Sequence, residues 1–159
     1  MQRRTIGLLL MMGAAALFTG CSTLPSTDVM KAETANFKVP KLPEAGKAMV
    51  YVVRPSALGG LVRFNVFLDD QEAASEMGFT RSSQYVYFSV KPGPHKIYSK
   101  AENWAELSFT ANDGDIIFVQ QEPSMGVIMA RNNLAKLEDI PGKYHVKTLT
   151  LGTVIKAEK

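Results

Sequence analysis

Gln84-Tyr85-Val86-Tyr87-Phe88-Ser89-Val90, followed by Lys91-Pro92-Gly93-Pro94 and then His95-Lys96-Ile97-Tyr98-Ser99-Lys100-Ala101, decides the fold class. The first run is β-branched or aromatic at most positions, the residue types that suit a pleated and packed surface. Side chains alternate along a strand, so Tyr85 and Tyr87 share one face while Val86, Phe88 and Val90 share the other. Two prolines fix φ around Gly93, which tolerates a positive φ, and the chain turns back as a second strand. A lone hairpin cannot bury its apolar face, so the pair predicts a larger sheet around it.

Working outward, Ala48 to Arg54 (AMVYVVR) reads as a strand stopped by Pro55, and Gly59-Gly60 as a loop. Val62 to Leu68 (VRFNVFL) is a strand leading to the Asp69-Asp70-Gln71 turn, and Ala73 to Met77 is a weak strand ending at Gly78. Downstream, Glu106 to Thr110 and Asp115 to Gln121 flank Asn112-Asp113-Gly114, whose Asp-Gly favours a hairpin turn. Pro123 to Gly126 breaks the pattern, after which Val127 to Ala130 and Leu134 to Leu137 supply one or two further strands. Asp139-Ile140-Pro141-Gly142 either caps a short terminal helix containing Tyr144 and Leu149 or makes another turn. No fixed-period repeat is visible. Seven or so short strands predict a mainly β domain over residues 47–156, a small antiparallel β-sandwich or bent sheet.

The amino-terminal segment has a different build. Met1-Gln2-Arg3-Arg4 is positively charged, and Ile6 to Phe18 is apolar or small throughout. That is the pattern of a signal peptide over residues 1–20, and the run is shorter than the roughly 20 apolar residues a spanning helix needs. Cys21 is the only cysteine, so it has no disulfide partner within the chain. Residues 21–46, with Pro25, Pro40, Pro43 and Gly46, read as a tether containing a short helix over Asp28 to Phe37 with Asp28 as its cap. Leu17-Phe18-Thr19-Gly20-Cys21 resembles the lipobox of bacterial lipoproteins, with Phe18 where leucine is usual. The resemblance implies cleavage between Gly20 and Cys21 and a thioether-linked lipid on Cys21. Two or three acyl chains hold a protein where one does not. Ser22, standing where an aspartate would retain such a protein in the inner membrane, implies the outer membrane, facing the periplasm. An ordinary signal peptide, an uncleaved anchor and a twin-arginine route are the alternatives.

Loss of Arg3 and Arg4 with the signal would take the basic count from 18 to 16 against 15 acidic residues, leaving +1 in place of +3. With scattered lysines and no basic stripe, nucleic-acid binding is not expected.

The ordered set Tyr51-Val52-Val53-Arg54-Pro55-Ser56, Val66-Phe67-Leu68-Asp69, Val90-Lys91-Pro92-Gly93-Pro94-His95, Phe118-Val119-Gln120-Gln121-Glu122 and Ser124-Met125-Gly126 resembles the bacterial lipoprotein domain of unknown function 2846, from Lys47 to about Leu137. The resemblance implies a small, mainly antiparallel β-domain and carries no activity with it. The Pro-Gly-x-His turn is also similar to that of PEGA-type sandwiches, a likeness of fold alone.

No catalytic constellation emerges. His95 and His145 lie in unrelated segments without zinc-ligand spacing, and the Asp69-Asp70 and Asp113/Asp115 pairs sit in turns, where aspartate bonds its own backbone. Gly59-Gly60 lacks the Lys-Ser/Thr of a phosphate loop. No metal, cofactor or enzymatic role is expected. The candidate contacts for a partner or glycan are the aromatics Tyr85, Tyr87 and Trp104, with Arg54 as either an inward ion pair or a ligand clamp. The expectation is a lipid-anchored interaction module for another envelope component, with peptidoglycan or surface-glycan binding second and a hydrolase third.

Overall fold

The computed structural model describes residues 24–158, so the signal segment, Gly20 and Cys21 lie outside the described residues. The first sheet is organised by β1 (Ala48–Arg54). It pairs antiparallel with β4 (Gln84–Val90) in the register Val50↔Phe88, and parallel with β7 (Ile116–Met125) in the register Val50↔Ile117. The outer strands β8 (Ala130–Leu137) and β9 (Thr150–Leu151) complete the order β8-β7-β1-β4-β9. In the second sheet, β10 (Thr153–Val154), β3 (Glu76–Thr80), β2 (Phe64–Leu68), β5 (Gly93–Lys100) and β6 (Trp104–Ala111) stand in that order. The fold is mainly β and layered as the strand pattern predicts, with β1/β7 and β4/β9 as parallel pairs in an otherwise antiparallel arrangement.

Alternation puts Val50, Val52, Val86, Phe88 and Val119 from the first sheet against Val66, Leu68, Met77 and Ile97 from the second. The opposite face of the first sheet is also apolar, with Met49, Tyr51, Val53, Tyr85 and Phe118. It is covered by α2 (Asp139–Thr148) through Val146, and by Phe37 and Val39. β1 therefore lies under two layers and is buried at every position, which is why it reads as a continuous apolar run.

Residues 27–41, expected to be tether, lie against the domain. Ser26 rather than Asp28 caps α1 (Thr27–Thr34), and the Lys147 ammonium on α2 donates to the Glu33 carbonyl at 2.7 Å. The Tyr51 hydroxyl accepts from the Lys41 N–H and donates to the Lys41 carbonyl, both at 2.7 Å. Burial pushes that hydroxyl up to about 12, so it stays a donor at any physiological pH.

Two local expectations change, and the choice left open at Asp139–Gly142 is resolved as a helix. Gly78 does not end a strand: Ala73–Ser75 forms a 3-10 turn and β3 runs on through Gly78 to Thr80. A Cβ at Gly78 would stand 2.3 Å from the Thr153 carbonyl oxygen, so glycine there permits β10 to approach. Pro123 does not break β7. Beyond Gln120 that strand has only β8 beside it, and a one-sided strand tolerates a residue without a donor. Residues 139–148 are a helix, with Pro141 in the first turn, where the missing N–H has no intrahelical acceptor.

Candidate interaction surface

The carboxyl end of β1 delivers Arg54, fully buried, to the base of the 57–62 loop. Its guanidinium donates to the carbonyls of Leu58 (2.9 Å), Gly59 (2.8 Å) and Val62 (2.6 Å) and lies 3.7 Å from the Phe64 ring centroid. Three carbonyl dipoles and an aromatic face compensate the buried charge in place of a carboxylate. Burial pulls the group down to about 10, so it remains charged near neutrality. Arg54 is thus a buried loop pin, with no carboxylate partner among the described residues.

A second pin holds the neighbouring loop. The Glu102 carboxylate, from the β5–β6 turn, accepts the backbone N–H groups of Met129 (2.7 Å), Ile128 (2.8 Å) and Val127 (3.1 Å), which together hold its pKa below the usual carboxylate range. Arg131 stands 3.8 Å from it. A Cβ on Gly126 would fall 2.0 Å from the Met129 carbonyl oxygen and 2.6 Å from the Glu102 carboxylate, so only glycine lets the β7–β8 tip close around the anion. Asn103 reinforces the arrangement, donating to the Asn132 carbonyl at 2.9 Å and accepting the Asn132 N–H at 2.8 Å. The two pinned loops touch, since a Cβ on Gly59 (φ +62°) would meet the Ala130 methyl at 2.4 Å.

These loops display apolar side chains. Leu61 is 94% exposed, Val127 92%, Ile128 88% and Met125 81%, with Met129 half exposed. Singly exposed aliphatics are ordinary, whereas five on two adjoining loops mark a contact surface. Each would contribute roughly 1.5–3 kcal/mol on full burial, and the internal hydrogen bonds have already fixed the backbone that carries them.

Beside the tip, Leu61 and Met129 wall one side of a 670 Å³ groove over the open face of the second sheet. Its floor is Phe67 and Trp104, ring centroids 5.2 Å apart, with the Lys100 ammonium 5.2 Å from the Trp104 ring. Asn65 donates to Glu76 at 2.5 Å across the floor, and Arg63 reaches over Phe79 at 4.7 Å. Among the described residues Glu76 is the one carboxylate lining the groove, so these residues can stack and hydrogen-bond but do not present a carboxylate pair to one bond.

The sequence-predicted candidates scatter. Tyr85 is buried at 7% exposure with its ring 6.0 Å from that of Tyr51, and Tyr87 is half-buried at 5.9 Å from the same ring. Both belong to the layer beneath α2 and the 37–39 segment, because the first sheet is covered on both faces. Trp104 is available, at 38% exposure. His95 bonds the Asp69 carboxylate (3.0 Å) and the Lys91 carbonyl (2.8 Å), locking two turns together. Asp113 accepts the Gly46 N–H and Asp115 the Asn112 N–H, each at 2.8 Å, as turn residues do. Among the described residues no cluster of three or more metal-ligating side chains forms. Sequence reasoning missed Glu102, Leu61 and the 127–129 tip. A signal was present in Val127-Ile128-Met129, which stands between Gly126 and Arg131 without a polar alternation.

A family model described as "Protein of unknown function (DUF2846)" matches residues 44–134. An uncharacterized protein of Haemophilus influenzae is 27% identical over 140 residues, covering 87% of this chain and 80% of the relative.

Proposed function

The chain belongs to the DUF2846 family of proteins of unknown function, and from that premise we propose that it is a membrane-anchored envelope lipoprotein whose domain acts without catalysis, as an interaction module for another envelope component. The observation that carries this reading is the pair of touching loops, internally pinned by Arg54 and Glu102, that hold Leu61, Val127 and Ile128 in solvent. A surface whose backbone is fixed before contact binds with less ordering cost. The anchor is the lipid on Cys21, facing the periplasm from the outer membrane. A photoreactive residue at Ile128 or Leu61 in intact cells should give adducts that the same residue at Thr110, exposed on β6, does not; equal labelling at all three positions would remove the tip from the binding surface. In the same cells, Cys21→Ser should release a folded domain from the membrane fraction.

A second reading is favoured by the groove. Trp104 and Phe67 offer a stacking floor, and Asn65, Glu76 and Lys100 offer hydrogen bonds to a saccharide. Retention on purified peptidoglycan should then fall with Trp104→Ala; unchanged retention would reject this ring as a glycan platform.

A further inference from the structure

The two pinned loops share a property that selects among occupants. The Val127, Ile128 and Met129 N–H groups are all taken by the Glu102 carboxylate, and the Leu58, Gly59 and Val62 carbonyls are all taken by the Arg54 guanidinium. A protein surface can supply hydrogen bonds to a partner's loop; hydrocarbon cannot, so backbone entering it must be satisfied internally. Residues 55–63 and 123–131 contain no acidic residue, and each stretch ends in an arginine, Arg63 and Arg131. Arg131 neutralises Glu102 at 3.8 Å, so the anion that pins the tip does not oppose a negatively charged surface. Lys100 and Trp104 stand beside Leu61 and Met129 at the groove mouth, a cation and an amphipathic ring where headgroups would lie.

We propose that this end of the sandwich is a lipid-contact surface, in which Leu61, Val127, Ile128 and Met129 enter the acyl boundary of a phospholipid leaflet while Arg63 and Lys100 meet anionic headgroups. The proposal rests on the lipoprotein reading and names the envelope component that the interaction surface takes. Reach favours it: two residues, Ser22 and Thr23, separate Cys21 from Leu24, and those three steps span at most about 11 Å of chain, so a lipidated Cys21 keeps the domain at high effective concentration beside the leaflet. Apolar side chains at the boundary, joined to basic residues, form an interfacial contact without spanning the membrane.

The chain's single tryptophan makes the test direct. Lipidated full-length protein is reconstituted into vesicles of three parts phosphatidylethanolamine to one part phosphatidylglycerol, with a fraction of the acyl chains brominated. Trp104 fluorescence should be quenched, and the quenching should be at least halved in Val127→Asp/Ile128→Asp, two exposed positions whose substitution leaves the core intact. In a Trp104→Phe background, Ile128→Trp should emit blue-shifted and be quenched more strongly than Trp104. Vesicle retention with red-shifted, unquenched emission from Ile128→Trp would overturn the lipid contact while leaving the anchor standing. Failure of the protein to sediment with vesicles would instead sink the anchor. A blue shift at Ile128→Trp that requires envelope proteins in the vesicles would give the tip to a protein partner and overturn the proposal.

Discussion

Two titratable side chains, Glu102 and His145, tie the fold to pH, each through what its folded surroundings do to its proton. Glu102 is a surface carboxylate whose oxygens are committed to three tip amides, and those bonds hold its pKa below the group's ordinary value of about 4.5. A depressed carboxylate pKa contributes stability that is present above the unfolded value and is lost as pH falls through the folded one. The protection factors of the Val127, Ile128 and Met129 amides, measured against the intrinsic rate at each pH, should therefore be high at neutral pH and fall once the pH drops below about 4.5. Glu102→Gln, which keeps the shape and loses the charge, should lower the protection of those three amides at neutral pH, with the difference from the native chain vanishing once Glu102 is itself protonated, while the strands β1 and β4 stay protected; unchanged protection at neutral pH would mean the carboxylate does not hold the tip. His145 acts with the same sign at a higher pH. It is 4% exposed on α2, its Nε2 has no hydrogen-bond partner among the described residues, and burial lowers its pKa below the ordinary imidazole value of about 6.5. The neutral ring is the folded form, so stability is full above the unfolded value of about 6.5 and falls as the pH drops through it toward the folded value. The urea midpoint should decline between about pH 7.5 and 5.5 in the native chain, and His145→Leu should flatten that decline. An equal slope in both would place the acid sensitivity elsewhere.

At the scale of elements, legibility followed burial on two faces. The β1 and β4 bounds are visible in the sequence because both strands run almost wholly through packed layers and end at punctuation, Pro55 for one and the Lys91–Pro94 turn for the other. The exceptions are positions where a third element sets the rule. Gly78 looks like a terminator until β10, distant in sequence, brings the Thr153 carbonyl to 2.3 Å from its missing Cβ. Pro123 looks like a breaker until β7 proves to have lost its β1 neighbour by that point. Gly78→Ala should consequently cost more than the usual helix or strand penalty, because the obstacle is backbone: β10 must retreat, and the register pairs Thr153↔Phe79 and Val154↔Gly78 should lose amide protection. Retention of slow exchange at Val154 with unchanged stability would contradict the close approach. The candidate site was less legible for a related reason. Trp104 announces itself by residue type, but Glu102 acts on amides some 25 residues ahead, and nothing local to either segment links them.

On the scale of the whole molecule, the third layer changes what the amino-terminal segment does. Read from composition, residues 21–46 are a tether holding one short helix; folded, that helix is present as α1 and lies on α2, Val39 is buried on the first sheet, and the Tyr51 hydroxyl grips Lys41 through both its N–H and its carbonyl. The stretch of sequence between Cys21 and the first element that packs on the domain is therefore Ser22 to Ser26, five residues, in place of the 25 residues from Ser22 to Gly46. A short link restricts the orientations an anchored domain can adopt, which matters if one end of it must meet a particular surface. Tyr51→Phe isolates this effect. It keeps the ring that packs against Tyr85, Tyr87 and Phe118, and it removes only the hydroxyl that joins the segment to the sheet. The loss should be about 1 kcal/mol, the net worth of exchanging those bonds for water, since Lys41 is itself exposed. Limited proteolysis should then cut after Lys38 or Lys41 faster than in the native chain, with the strands intact. If the cleavage rate is unchanged while global stability falls, the hydroxyl supports the sheet alone and the segment is held by Phe37 and Val39 without it.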